Sequence, residues 1–287
     1  MLIGVCSSDF KRSNAADLFE KVRNHGFEIL QFGFASITET DFVPDRKIEL
    51  PPEIPAKALA AVEINSAKTN IPVQVINGTF NMAHPDGEIR TEGIRRMEIL
   101  CKAAKELDCP FISLCSGTRN AADLWRYSPE NHTVEAWNDM LDTVLRCTEI
   151  AEKHGITLAV ETERGNIIDT PEAARKLLDT VNSERLKMIL DCANLFHNGR
   201  AKKEFVREEI AKAFDFFGKD IVVAHGKDVS DDDEIRFVPT GEGIVDFGFF
   251  IEKLNEYGYK GDMFLHSIFD ETKMQTGINV IKKGTVN

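Results

Sequence analysis

The sequence predicts an α/β fold: a closed (β/α)8 barrel of the TIM type, in one domain over residues 1–287. Three observations carry this expectation. Short apolar, often β-branched runs recur eight times along the chain, and amphipathic stretches with helical spacing lie between them. No Pro/Ser/Gly linker, low-complexity tract or change of composition marks a second domain. Continuous apolar strands alternating with amphipathic helices mean a parallel sheet covered by helices, because parallel neighbours need a crossover rather than a hairpin. Eight such units suit the about 250 residues typical of a closed barrel.

In chain order, the first run is "LIGVC" (2–6), and Ser13/Asn14 supply helix-start chemistry before "AADLFEKV". "FEILQFG" (27–33) and "IPVQVING" (71–78) follow. "EGIRRMEILCKAAKELD" then places Ile94, Met97, Leu100, Cys101 and Ala104 on one helical face. After "FISLC" (111–115), the stretch "AWNDMLDTVLRCTEIAEKHG" predicts a helix with Trp137, Met140, Leu141, Val144 and Leu145 inward. "ITLAVE" (156–161) precedes Thr170-Pro171-Glu172, a helix start before "AARKLL". "LKMILD" (186–191), "DIVVAH" (220–225) and "DMFLH" (262–266) complete the eight, and "ETKMQTGINVIKKG" predicts the last helix, with Met274, Ile278 and Ile281 inward. The structural alternative is an open doubly wound sheet. It lacks support at the first turn, where "CSSDFKRSN" is no Gly-rich phosphate loop.

Composition narrows the function classes. Hydrophobic residues make up 43% of the chain, ample for a large core, and the formal net charge is −12 with no run of basic residues. Nucleic acid and anionic membrane are therefore not expected as partners, since both require clustered cations. The six cysteines lie mostly in apolar stretches and none forms a CxxC pair, which reads as reduced, buried thiols in a cytoplasmic protein. No segment approaches 18 apolar residues, and "MLIGVCSSDF" has no basic leader, so neither secretion nor a membrane span is expected.

In a parallel barrel the functional groups sit at the C-terminal ends of the strands, which all open on one face. Those positions hold Glu161 and Glu163, Asp191, His225 and His266. Carboxylates and imidazoles converging on one mouth concentrate charge and lone pairs, at a cost of several kcal/mol unless a cation neutralises them. A divalent metal is the economical solution. Mixed N/O ligation suits Mn²⁺, Zn²⁺, Co²⁺ or Fe²⁺ better than Ca²⁺, with Mg²⁺ also within the expected range.

Five segments, "NGTFNMAHPD" (77–86), "LAVETERGN" (158–166), "LDCANLFH" (190–197), "VVAHGKDV" (222–229) and "GEGIVDFGFFIEKLNEYGYKGDMFLH" (241–266), give the chain a further likeness. Through them it resembles, nearly end to end, the xylose-isomerase-like TIM barrels. That family includes sugar and sugar-phosphate isomerases and epimerases, inosose dehydratases and apurinic endonucleases. The resemblance implies metal ligation by Glu161, Asp191 and His225, with His266 expected as the fourth ligand, in the place where the family usually has a glutamate. Asn194 stands where many members have a histidine.

Two glutamates that exchange a proton on opposite faces of a sugar are the family's epimerase device, and His266 breaks that symmetry. Proton transfer is then expected to shift to Glu163, Lys227 or Asp228, all next to expected ligands, with Glu161 and His266 also in the expected catalytic set. An ion pair of Glu163 with Arg164 or Arg119 is the competing reading. His84, Arg119, Trp125, Asn194 and Asp228 are the expected substrate contacts. Trp125, Arg119 and Arg126 lie in a long loop (116–131) read as a lid. Trp137 and the phenylalanines of "AFDFFG" and "DFGFF" read as core, and His25, His132 and His154 as surface.

The first expected function is metal-dependent isomerisation or epimerisation of a small ketose, sugar acid or sugar phosphate through an enediolate. The alternative is a metal-dependent lyase or dehydratase of a keto-sugar or oxidised glycoside, which needs one strong base and a general acid. An apurinic-site endonuclease is disfavoured by the charge of −12 and by Asn194. A barrel that binds a sugar without turning it over is the remaining class. A small carbohydrate is the expected partner, and self-association through the helical exterior, as a dimer or tetramer, is compatible with the fold.

Overall fold

The computed structural model describes residues 1–285. The apolar runs form β1 (Ile3–Cys6), β2 (Ile29–Phe32), β3 (Val73–Asn77), β4 (Phe111–Cys115), β5 (Thr157–Glu161), β6 (Leu186–Asp191) and β7 (Ile221–Gly226). A short antiparallel hairpin of β8 (Asp228–Val229) and β9 (Phe237–Val238) interrupts the alternation, and β10 (Met263–Leu265) is the eighth barrel strand. The parallel strands close in the order β1-β10-β7-β6-β5-β4-β3-β2, the architecture the alternation predicts. The hairpin was not anticipated: it is two residues per strand, too short for a periodic signal.

Among the described residues eight α-helices wrap the barrel: α1 (Ala15–Asn24), α2 (Ala56–Thr69), α3 (Gly87–Glu106), α4 (Val134–His154), α5 (Pro171–Val181), α6 (Val206–Phe217), α7 (Phe247–Glu256) and α8 (Met274–Gly284). Their starts follow the chemistry of the sequence. The side chains of Asn14, Thr133, Thr170 and Asp246 each accept a hydrogen bond from an amide of the first turn. In α3 the expected face is buried in full. In α4 it is rotated: Met140, Thr143, Val144, Cys147 and Ala151 face inward, Leu141 is half-buried and Leu145 is exposed. Trp137 is also only half-buried, with the Lys176 ammonium 3.7 Å from its ring centre. Phe214, Phe217, Phe247 and Phe250 are core, while Phe216 and Phe249 lie at its margin. All six cysteines are free and buried.

The main core lies between strands and helices, and a second, smaller cluster fills the barrel itself with Cys6, Ile29, Val75, Ala159, Ile189, Val223 and Phe264. Gly4 makes this filling possible, since a Cβ there would lie 2.5 Å from the Phe264 ring. Side chains two residues apart share one face of a strand. Two residues beyond members of this plug stand Gln31, Asn77, Glu161, Asp191, His225 and His266, and Ser113 stands two beyond Phe111, which packs against the plug. The barrel therefore carries a polar floor directly on an apolar one.

Candidate metal centre

Strand register sets the centre. Asp191, the last residue of β6, is paired with His225 on β7, and Glu161 ends the neighbouring β5. One ligand atom from each of these three residues lies within 4.8 Å of the other two. His225 Nδ1 is 3.5 Å from Glu161 Oε1 and 3.6 Å from Asp191 Oδ2. Both distances are long for hydrogen bonds, and Asp191 Oδ2 and His225 Nδ1 are buried without a hydrogen-bond partner. Two orphaned, convergent lone-pair donors in a buried site fit a cation between them.

The surrounding bonds aim these atoms. His225 Nε2 meets Gln31 Oε1 at 2.9 Å; the amide oxygen can only accept, so the imidazole donates there and turns Nδ1 to the centre, where it becomes a lone-pair donor on losing its proton. Gln31 Nε2 in turn donates to Asn77 Oδ1 at 2.9 Å, which also accepts from Ser113 Oγ at 3.3 Å. Asp191 Oδ1 accepts from the Ala193 amide at 2.9 Å, leaving Oδ2 free. Asn194 Nδ2 donates to Glu161 Oε1 at 2.7 Å, and its Oδ1 accepts from Lys227 Nζ at 2.7 Å. Asn194 thus orients a carboxylate and an ammonium at once.

Charge is balanced by proximity. Burial would raise the Asp191 carboxyl, but the Lys227 ammonium, 3.6 Å from Oδ2, and His225 hold it well below the usual carboxylate range. Burial disfavours the charged His225, yet Glu161 and Asp191 outweigh it and push the imidazole up to about 9. Lys227 is raised by Asp191, Glu163 and Glu161 against the opposing effect of burial, and its ammonium sits 3.6 Å over the Phe237 ring of the hairpin. Burial lifts Glu163 to about 7, opposed by Lys227 and assisted by Glu161 and Asp191. Burial likewise pushes the Cys6 and Cys115 thiols well above their ordinary value, which keeps them protonated beside the site.

His266 departs from its expected place as fourth ligand. It lies outside the group of Glu161, Asp191 and His225. β10 ends at Leu265 and Ser267 takes a left-handed backbone with φ 62°. The amides of Ser267 and Ile268 donate to the buried Asp9 carboxylate at 3.1 and 2.9 Å. This turn sets His266 beside Asp9, Nδ1 to Oδ1 3.9 Å, with its ring centre 5.3 Å from that of His225. Burial, with Lys227 and His225 nearby, holds His266 down to about 3, so it is a neutral base with an unpartnered Nδ1.

Other expected contacts are committed elsewhere. His84 accepts from the Asp86 amide through Nδ1 and donates to Ala121 O through Nε2, both at 3.0 Å, so it fastens its loop and has no nitrogen for a substrate. Arg119 is buried against Asp139 at 2.6 Å and Glu135 at 3.3 Å. Asp228 accepts four amides, from Val229, Gly241, Gly243 and Val245, which explains the "GEGIVD" motif as a loop wound round one carboxylate. Trp125 is partly exposed and donates to Glu49 Oε1 at 3.0 Å. Arg126 is exposed beside Asp123. The loop 116–131 is tied down by Asn81, Asn131 and Asn166, in the manner of a fixed wall. Glu163 has no ion pair with Arg164 or Arg119 among the described residues. His25 pairs with Glu271 and His154 with Glu98, whereas His132 lines a cleft.

Sequence reading missed Gln31, Asn77, Ser113 and Asp9. The first three lie one strand pitch above apolar barrel residues, a two-residue offset visible once the inward face of each strand is known. Asp9 gives no such signal, because it follows β1 in a short 3-10 turn.

A family model described as "Xylose isomerase-like TIM barrel" matches residues 19–284. A protein of Methanocaldococcus jannaschii named "Uncharacterized protein MJ1311" is 24% identical over 271 residues, 91% of this chain and 82% of that one. The L-ribulose-5-phosphate 3-epimerase UlaE of Shigella flexneri is 25% identical over 203 residues, 71% of this chain and 65% of the epimerase. The solved structure of the IOLI protein with a binding zinc atom superposes with a TM-score of 0.71 at 18% identity, covering 100% of this chain and 97% of that one.

Proposed function

The chain belongs to the xylose isomerase-like TIM barrel family, and from that premise we propose that it is a metal-dependent isomerase or epimerase of a small ketose, sugar acid or sugar phosphate. The observation that carries this reading is the convergence of Asp191 Oδ2 and His225 Nδ1, both buried and unpartnered, on Glu161. Glu161, Asp191 and His225 would hold a divalent ion of the Mn²⁺, Zn²⁺, Co²⁺, Fe²⁺ or Mg²⁺ class. A bound ion supplies Lewis-acid polarisation of a substrate carbonyl and its neighbouring hydroxyl. Relatives named as a sugar-phosphate epimerase and as a zinc-containing barrel support the class of substrate and of cofactor.

The chain's own groups supply proton transfer. Glu163, lifted to about 7, is matched to taking a proton from carbon beside a carbonyl and returning it. His266 is neutral and unpartnered at Nδ1, and it stands at β10, separated from β5 by β6 and β7 around the barrel. These two unlike bases approach from different sides, in place of a symmetric carboxylate pair. Lys227 keeps its charge and offsets negative charge that develops on oxygen. Asn194 fixes Lys227 and Glu161 relative to each other.

A second reading, a metal-dependent lyase or dehydratase, is favoured by the same asymmetry: one strong base at Glu163 with an ammonium donor at Lys227 suffices for elimination. The experiment that separates the two incubates candidate ketoses and sugar acids in deuterium oxide with metal-loaded protein. Deuterium in recovered sugar without loss of water or aglycone supports isomerisation or epimerisation, and elimination products support the lyase.

A further inference from the structure

The turn after β5, three residues beyond Glu161, presents Arg164 to a cleft of about 420 Å³ that it lines with Tyr127, His132, Asp169, His197 and Asn198. This size is within the range of small-molecule sites. Among the described residues the Arg164 side chain makes no ion pair and no hydrogen bond, although the chain carries 47 acidic residues against 35 basic ones. A half-buried guanidinium with no protein partner among the described residues has five donors in a fixed fork that matches an oxyanion.

The turn is rigid. Glu163 N donates to Ile168 O at 3.0 Å and Asn166 N to Glu163 O at 2.8 Å. Asn166 bonds both Gly117 N and Leu124 O, and Asn131 Nδ2 donates to Gly165 O at 2.9 Å. Gly165 packs so closely on the wall that a Cβ would lie 2.9 Å from Trp125 O. Neighbouring residues of this fixed turn therefore serve two spaces: Glu163 feels Lys227, Glu161 and Asp191, and Arg164 lines the cleft.

Asp169 is the one carboxylate among the cleft-lining residues; its Oδ2 lies 3.8 Å from His132 Nε2, a contact that becomes an ion pair when the imidazole is protonated, and it makes no ion pair with Arg164. His197 donates through Nε2 to the Asp169 main-chain oxygen at 3.1 Å, which fixes its ring at the rim. A second cleft shares His132 and Asp169 and reaches Thr133 and Thr170, the N-caps of α4 and α5. The N-termini of α4 and α5, where helix dipoles are positive, thus line that second cleft.

We propose that this cleft is an oxyanion subsite, in which Arg164 holds the phosphate or terminal carboxylate of an acidic sugar whose carbonyl end lies at Glu161, Asp191 and His225. It rests on the metal-dependent reading above and narrows its substrate to the acidic members of that class. Neutral ketoses would leave the guanidinium without a partner. Phosphate esters and sugar acids share the oxyanion, and two probes separate them.

The test is isothermal titration of the full chain with inorganic phosphate and with acetate, using wild-type protein, Arg164→Ala, Arg164→Lys and Asp191→Ala. The wild type is expected to bind at least one probe at one site per chain. Arg164→Ala should weaken it tenfold or more, and Arg164→Lys should recover only part, because an ammonium cannot pair in bidentate fashion. Preference for phosphate assigns the ester, and preference for acetate the sugar acid. Asp191→Ala should retain anion binding while losing metal. Unchanged affinity in Arg164→Ala, or no binding of either probe to the wild type, overturns the subsite and leaves the metal reading standing. Anion binding by wild-type protein that takes up no metal overturns the metal reading alone.

Discussion

Across the barrel mouth, His225 Nε2 donates to Gln31 Oε1 at 2.9 Å, joining residues 194 positions apart in the chain. This one bond decides which nitrogen of His225 faces Glu161 and Asp191. A ring tied at Nε2 turns Nδ1 toward those carboxylates, and a ring free at both nitrogens would lose that direction. Gln31→Leu is therefore expected to weaken divalent-metal affinity by about 10- to 100-fold while leaving the fold intact. Calorimetric titration of Mn²⁺ or Zn²⁺ into wild type and variant checks it, and equal affinities would remove Gln31 from the account.

Metal affinity should climb with pH. His225 is held up to about 9 by Glu161 and Asp191 in the metal-free protein, so a ligating Nδ1 must first lose a proton. Each pH unit from about 6.5 to about 9 then gives about a tenfold gain, flattening above. The metal-free stability runs the other way. A histidine whose folded value exceeds the ordinary 6.5 stabilises fully below 6.5 and ceases to do so as pH rises through about 9. Thermal midpoints in EDTA should fall between pH 6.5 and 9, with a shallower slope in His225→Gln.

Glu163→Gln keeps the shape of the side chain and removes its proton-accepting charge. A base at this position predicts a loss of about 10²- to 10⁴-fold in the rate of solvent-deuterium incorporation, with metal content unchanged. Quenched-flow mass spectrometry of recovered substrate reads the rate. Exchange at the wild-type rate would move the base to His266 or Lys227.

The "GEGIVD" loop gives a stability prediction independent of catalysis. A Cβ on Gly243 would lie 2.3 Å from both Asp228 Oδ1 and Val229 O, and the second is main chain that cannot swing aside. Gly243→Ala should destabilise the protein by about 1–3 kcal/mol, as overpacking does. Urea unfolding with an unchanged slope would show it. The same substitution at Gly26, which has no heavy atom within 4 Å but a φ of 85°, tests backbone strain without a clash.

Much of this structure is legible in the sequence because barrel strands are buried on both faces and read as continuous apolar runs. "FISLC" and "LKMILD" coincide with β4 and β6 residue for residue. Glu161, Asp191 and His225 were visible for the same reason: each is the first charge or imidazole after such a run. His266 follows a run in the same way and lies beside His225, yet it is outside the group formed by Glu161, Asp191 and His225; the left-handed Ser267 and the Asp9 carboxylate that shape its turn do not show in local pattern. His84, Arg119 and Asp228 have the residue types of substrate contacts. Their partners, Ala121 O, Asp139 and the amides around Gly241 and Gly243, come from other loops that only the closed fold brings together. Gln31 was hidden by being an uncharged residue inside an apolar run.

The most direct measurement is the metal content of the full chain by inductively coupled plasma mass spectrometry, after incubation with Mn²⁺ or Zn²⁺ and removal of free ion. One ion per chain is expected in the wild type and in His266→Ala, and loss of the ion in Asp191→Ala and His225→Ala. A wild type that retains no ion, or an Asp191→Ala that retains a full equivalent, would contradict this reading.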